Sequence, residues 1–285
     1  MIKLGILFFL IIIFAIIILI IFFQDSKKTF NNTVSGIILL EGDPSFNAAQ
    51  IKREIETRWK IKINNTNSND GIVIFSNDKY KIVILSLDAE IPEDELEGVC
   101  KISHLWKDAQ EETSKHQSHI ILSVSSDIPD LVELNMQFVR IAASVLRNTK
   151  SIGIYLGNQS LISPRDYYIK IADNMSNDDL PLTNWIYFGL RENKEKRNGF
   201  TIGLKEFGFR EIEFSDSDKS FDEIYKILYD LAHHVLLSRQ PLKKGETFDL
   251  STTEKISLEP KAGEFRDTES MHVVVMKNLK TPSSY

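Results

Sequence analysis

Cys100, His104, His116 and His119 fall within twenty residues of one another and are the ligand types of a soft metal. A zinc site needs every donor about 2 Å from the ion. Cys100 and His104 are four apart and share a helix face, but His104 and His116 are twelve apart. Along a continuous helix that separation is about 18 Å. Leu105–Lys115 holds no Gly or Pro to break such a helix. The spacing therefore argues against one metal site. It reads Cys100 as a core thiol and His116 as a helix C-terminal residue favoured by the dipole. For acid–base chemistry the candidates are His116, His119 and His233. His233 and its neighbour His234 close the last long helix, where a dipole contact or a buried hydrogen bond accounts for them without a catalytic partner.

The named catalytic patterns are absent: no Gly-x-Ser-x-Gly elbow, no phosphate loop ending in Lys-Ser/Thr, no His-Glu-x-x-His and no Gly-x-Gly-x-x-Gly. No cofactor-binding residue is indicated. Net charge is −6, against the basic surface that a nucleic-acid binder needs to displace counterions. Arg191, Lys194, Lys196 and Arg197 make a basic hairpin tip, diluted by Glu192 and Glu195. A solvated turn is the expected meaning, and contact with anionic lipid the functional one. Cys100 is the only cysteine, so no intramolecular disulfide forms.

The elements that must position these groups follow from pattern. Ser35–Leu40 reads as a buried strand, and Asp43-Pro44-Ser45 opens a helix that Ser45 or Asn47 caps, with Ile51, Ile55 and Trp59 on one face. Asn64–Asp70 reads as a loop, and Gly71–Phe75 and Tyr80–Leu87 as a hairpin. Pro92 and the acidic residues Glu93, Asp94 and Glu95 open a helix expected to run to about Lys115, before a strand at Ser118–Ser123. This order, βαββαβ, is that of ferredoxin-like folds.

Asp130–Asn148 is a strongly apolar helix, Ser151–Leu156 a strand and Pro164–Asp173 a helix. Trp185–Leu190 and Phe200–Leu204 flank the charged turn as a hairpin, and Glu211–Phe214 alternates like an edge strand. Ser220–Leu237 is the clearest helix, with Ser220 and Glu223 as a capping box and Phe221, Ile224, Leu228, Leu231 and Val235 on its apolar face. A weak strand near Ile256–Leu258 and a clear one at His272–Met276 follow, then a frayed tail at Asn278–Tyr285.

Before all of these stands Leu4–Phe23, without charge, proline or polar side chain. About twenty apolar residues make a helix of roughly 30 Å, the thickness of a bilayer core. The run exceeds a signal-peptide core and ends without a small-x-small cleavage site. It reads as a single-pass membrane anchor, with residues 1–28 as anchor and tether and 35–278 as the domain. Halves of that domain fall at 35–128 and 129–278. Lys3 before the helix and Lys27 and Lys28 after it are too evenly balanced to set its orientation.

Several segments, in order, carry a family resemblance: WIYFGL, TIGLKEFG, EIEF and the helix ending YDLAHHVL, together with HLWKDA, the His116-x-x-His119 pair and SIGIYLGNQSLISP. The chain resembles the bacterial domain-of-unknown-function 4261 family over most of Ile37–Lys277. The resemblance implies no activity and no catalytic residue. Members are similar to small proteins that often stand alone in the cytosol, so the apolar N-terminus departs from the usual form.

The expectation is an α/β (α+β) chain with a mixed, largely antiparallel sheet. It comprises a ferredoxin-like first half, a second α/β half and an N-terminal transmembrane helix. The function expected is that of a membrane-tethered binding or interaction module of the immunity or regulatory kind, held by residues 4–23 and engaging another protein. The alternative is a hydrolase using the histidines with nearby carboxylates.

Overall fold

The computed structural model of the chain describes residues 30–193, 195–252, 254–265 and 268–277. The anchor expected at Leu4–Phe23, Lys194 of the hairpin tip and the tail expected at Asn278–Tyr285 lie outside them. Among the described residues no helix is long and apolar enough to cross a membrane. They form two compact units, one of residues 30–156 with 162–169 and one of 157–161 with 170–277.

The first unit runs β1 (Asn32–Leu40), α1 (Ala48–Arg58), β2 (Asn65–Asn69), β3 (Ile72–Ser76), β4 (Tyr80–Leu87), α2 (Glu93–Ile102), α3 (Ala109–Thr113), β5 (Ser118–Ser126), α4 (Leu131–Arg147), β6 (Ser151–Leu156) and β7 (Leu161–Pro164). The strands form one sheet in the order β2-β3-β4-β5-β1-β6-β7. β1 pairs antiparallel with both β5 and β6. β5 and β6 are therefore parallel to each other, and α4 links them over β1. This is a split β–α–β, built one step later than the ferredoxin-like reading placed it. The ferredoxin-like arrangement of the first half does not form. β4 lies beside β5, its antiparallel neighbour, so the helical segment between them closes a wide hairpin and crosses over nothing.

Strand parity assigns the helices to faces. A Cβ on Gly36 would lie 3.0 Å from the Phe138 ring of α4, while Leu39, of opposite parity, joins Leu96, Val99, Trp106 and Tyr155 in a buried cluster. So α4 covers one face, and α2 and α3 cover the other. Asp130 caps α4 by accepting from Val132 and Glu133, and Asn47 caps α1 by accepting from Gln50.

Three expectations for this unit need correction. Asn64–Asp70 is not a loop: β2 occupies Asn65–Asn69 as a wholly exposed edge strand paired to β3. Its polar side chains hide the period that a half-buried strand shows. The helix expected from Pro92 to Lys115 is two helices. Ser103 turns extended after α2, its N–H on the Cys100 carbonyl, and the Trp106 indole drops onto Gly153. Trp106 is 4 % exposed, so burial of a large ring ends the helix where no Gly or Pro does. Finally, the division at 128/129 falls inside this unit, between β5 and α4.

Helix α5 (Arg165–Asn174) begins in the first unit and ends in the second. The second continues with β8 (Tyr187–Asn193), β9 (Lys196–Ile202), β10 (Ile212–Ser217), α6 (Phe221–Ser238), β11 (Thr247–Asp249), β12 (Glu254–Ala262) and β13 (Glu269–Lys277). The sheet order is β11-β12-β13-β10-β9-β8, with β10 parallel to β13 and the remaining pairs antiparallel. The expected edge strand at Glu211–Phe214 is thus an interior one, with neighbours on both sides. Trp185 precedes its expected strand as the cap of a 3-10 turn, and the hairpin strands extend into the charged stretch.

Helix α6 forms as its sequence dictates. The Ser220 side chain accepts from the Glu223 N–H, and the Glu223 carboxylate accepts from the Ser220 N–H. Ile224, Leu228, Leu231 and Val235 are buried, and a Cβ on Gly199 of β9 would lie 2.4 Å from Ile224 Cγ2. Helix and sheet approach so closely there that only glycine fits.

Candidate functional site

In the first unit, His116 and His119 face the loop that joins β4 to α2. His116 Nδ1 donates to the Thr113 carbonyl at 2.5 Å, and its Nε2 accepts the Ile91 N–H at 2.8 Å. That pair of bonds fixes a neutral tautomer and leaves neither nitrogen for a substrate. His119 Nδ1 donates to the Ala89 carbonyl at 2.7 Å, while its Nε2 is buried with no partner among the described residues. Burial holds the His119 imidazole below its ordinary pKa, and the nearby His116 acts in the same direction. The two rings together staple the Ala89–Ile91 backbone to the start of β5.

His116 also lines a cavity of about 220 Å³ with Cys100 and Thr113, under a rim of Glu90, Glu93 and Glu97. Cys100 Sγ lies 3.5 Å from Thr113 Oγ1, and burial pushes the thiol pKa up. A thiol so placed stays protonated and is a poor nucleophile. Cavities that take drug-sized ligands usually run from about 300 Å³ upward, so this one is small. The helix break at Ser103 removes the straight-helix argument against a shared metal site. Among the described residues, however, no group of three or more His, Cys, Asp or Glu side chains is placed to hold an ion.

The second unit holds charged groups that the sequence reading missed. Glu211 is 4 % exposed and its carboxylate collects four donors. Thr201 Oγ1 donates at 2.7 Å, and the backbone N–H groups of Gly203, Leu204 and Lys205 donate at 2.8, 3.3 and 3.2 Å. It therefore caps the 3-10 turn Leu204–Phe207. Gly203, at φ +131°, is required there because a Cβ would meet the Trp185 carbonyl at 2.3 Å. Burial raises the Glu211 pKa, and the four hydrogen bonds oppose that rise.

Glu213 is fully buried. Its Oε1 accepts from Ser270 Oγ at 2.9 Å, its Oε2 accepts from the Glu264 N–H at 2.8 Å, and His272 Nε2 stands 3.6 Å away. Ser, His and Glu thus meet, but not in a relay. The serine hydroxyl donates its hydrogen bond to the carboxylate, and the His272 ring nitrogen turns toward the Ala262 carbonyl at 3.2 Å. The group ties the β12–β13 connection to β10. Phe265 of that connection stacks on Phe200 at 4.8 Å, with the Arg191 guanidinium over both rings. The available signal was the pairing of Glu213 with His272, legible only once β10 is known to be interior.

His233 is half-buried on α6, its ring parallel to that of Tyr229 at 6.5 Å. No carboxylate among the described residues makes a recorded bond to it. Two cations of the hairpin are paired: Lys196 with Asp218 at 2.6 Å, and Arg197 with Glu192 at 3.8 Å while lying over the Phe221 ring.

These features define a class: an α+β chain with two largely antiparallel sheets, in which His116, Glu211 and Glu213 are held by hydrogen bonds within the protein. Residues 200–274 match the family model described as Domain of unknown function (DUF4261), within the span that carries the sequence resemblance. The matched stretch runs from β9 into β13 and contains Glu211, Glu213, Ser270 and His272. No curated protein and no solved structure matches the chain.

Proposed function

We propose that this chain is a membrane-tethered interaction module, with Leu4–Phe23 as a single-pass anchor and the folded part engaging another protein. The observation that carries the non-enzymatic reading is the state of the histidines. His116 spends both ring nitrogens on backbone groups, and His119 is buried. General acid–base work needs a nitrogen within reach of a substrate proton. The anchor rests on the length and purity of the apolar run in the sequence.

Two measurements on the full-length chain test the reading. The protein should float with membranes and stay there through carbonate extraction, and a mature N-terminus just after Phe23 would overturn the anchor. Screening against ester, phosphoester and peptide substrates should find no turnover. Turnover lost in His116→Gln, His119→Gln or His233→Gln, with the fold retained, would move the reading to a hydrolase.

A further inference from the structure

We infer that the first unit presents one end of its sheet to an anionic lipid surface and turns its acidic, cavity-bearing end away. The inference deepens the anchor reading and rests on it. The lipid-facing end is the one that carries the Asn77–Lys79 turn and the Asp127–Asp130 loop.

The exit point of the chain is fastened at that end. The Asn31 N–H donates to Asp127 Oδ1 at 3.1 Å, and Asn32 Nδ2 donates to the Ile128 carbonyl at 3.0 Å. The register pairs Asn32 and Tyr80 with the same residue, Ser126, so the turn before Tyr80 shares this end. From Phe23 to Asn31 the chain can span at most about 28 Å when fully extended. The nine residues of β1 then carry the sheet about 30 Å further. At its far end lie Leu40 and Leu87, the start of β5, and the loop that His116 and His119 hold.

Charge separates the two ends. The far end exposes Asp70, Asp88, Glu90 and Glu93 together with Glu41, against Lys115 and Lys150. At the exit end, Lys60, Lys62 and Lys79 balance Asp78, Asp127 and Asp130. An anionic leaflet attracts basic groups and repels carboxylates within about a Debye length of its surface. A unit lying flat on one sheet face would bring both ends, carboxylates included, to that surface. A unit standing on its exit end does not.

The test uses the full-length chain in liposomes of three parts phosphatidylcholine to one of phosphatidylglycerol, with an acceptor dye on the outer headgroups. Asp78→Cys and Glu90→Cys replace exposed residues at the two ends and take a donor dye; the wild-type chain, whose Cys100 is buried, gives the background. Energy transfer from position 78 should exceed that from position 90 by about two-fold or more, because β1 alone separates the ends by about 30 Å. Equal or reversed transfer in chains that float with the liposomes overturns the orientation alone. Failure to float removes the anchor reading and the orientation with it.

Discussion

His116 looks catalytic by type and is structural by bonding, and the difference lies in a backbone amide that no spacing rule reveals. Its partner is the Ile91 N–H, donated from twenty-five residues upstream. His119 adds a pH dependence. Burial lowers its pKa from the usual 6.5, so the unfolded chain takes up the proton more readily than the folded one. Stability from this group is fully present above pH 6.5 and is lost as pH falls through the lower folded value. Denaturant midpoints measured from neutral to acidic pH should fall more steeply for the wild type than for His119→Gln, whose side chain can still donate to the Ala89 carbonyl. Parallel profiles would show that folding leaves the proton affinity of this imidazole unchanged. The residue reading found the inward histidines but not Glu211 or Glu213. A glutamate reads as solvent-facing by default. Glu211 is held by donors of the preceding turn, and Glu213 by a strand more than fifty residues later.

Helix α6 shows what local pattern specifies well. Its cap, its length and its apolar stripe are all local properties, and each formed as read. Leu228 is fully buried mid-stripe, whereas Lys226 is exposed and pairs with Asp230 one turn on. Truncating a buried leucine removes its transfer energy and leaves a cavity, about 2–5 kcal/mol in all. An exposed i,i+4 pair contributes only about 0.3–0.5 kcal/mol. Leu228→Ala should therefore lower the unfolding free energy clearly and Lys226→Ala barely, as chemical denaturation of both would show. Equal small losses would mean that the face is not packed. Where pattern failed, tertiary burial had overridden it. Trp106 ended a helix that propensity continues, and β2 formed from a polar run because β3 offered an edge to pair with.

At the scale of the molecule, the largely antiparallel α+β character was readable because strand and helix patterns alternate cleanly. The order of strands was not, because the same elements fit more than one topology. The sequence order βαββαβ suggested β1 beside β4. The chain instead sets β1 between β5 and β6, and that placement has a consequence for synthesis. β1 is the first strand of the sheet to leave the ribosome, yet the residues it pairs with lie 78 or more positions later. Chains arrested before β5 emerges cannot complete the first unit, and those arrested between β5 and β6 leave one edge of β1 open. Ile38, Leu39 and Leu40, all buried in the finished sheet, stay in contact with solvent or a chaperone until then. Protease resistance of arrested nascent chains should therefore rise only once residues to about Pro164 have cleared the exit tunnel, which covers a few tens of residues more. A protected core at earlier arrest points would mean that β1 finds other partners first. An N-terminal strand that waits for its neighbours makes the opening third of the chain its most chaperone-dependent part during translation.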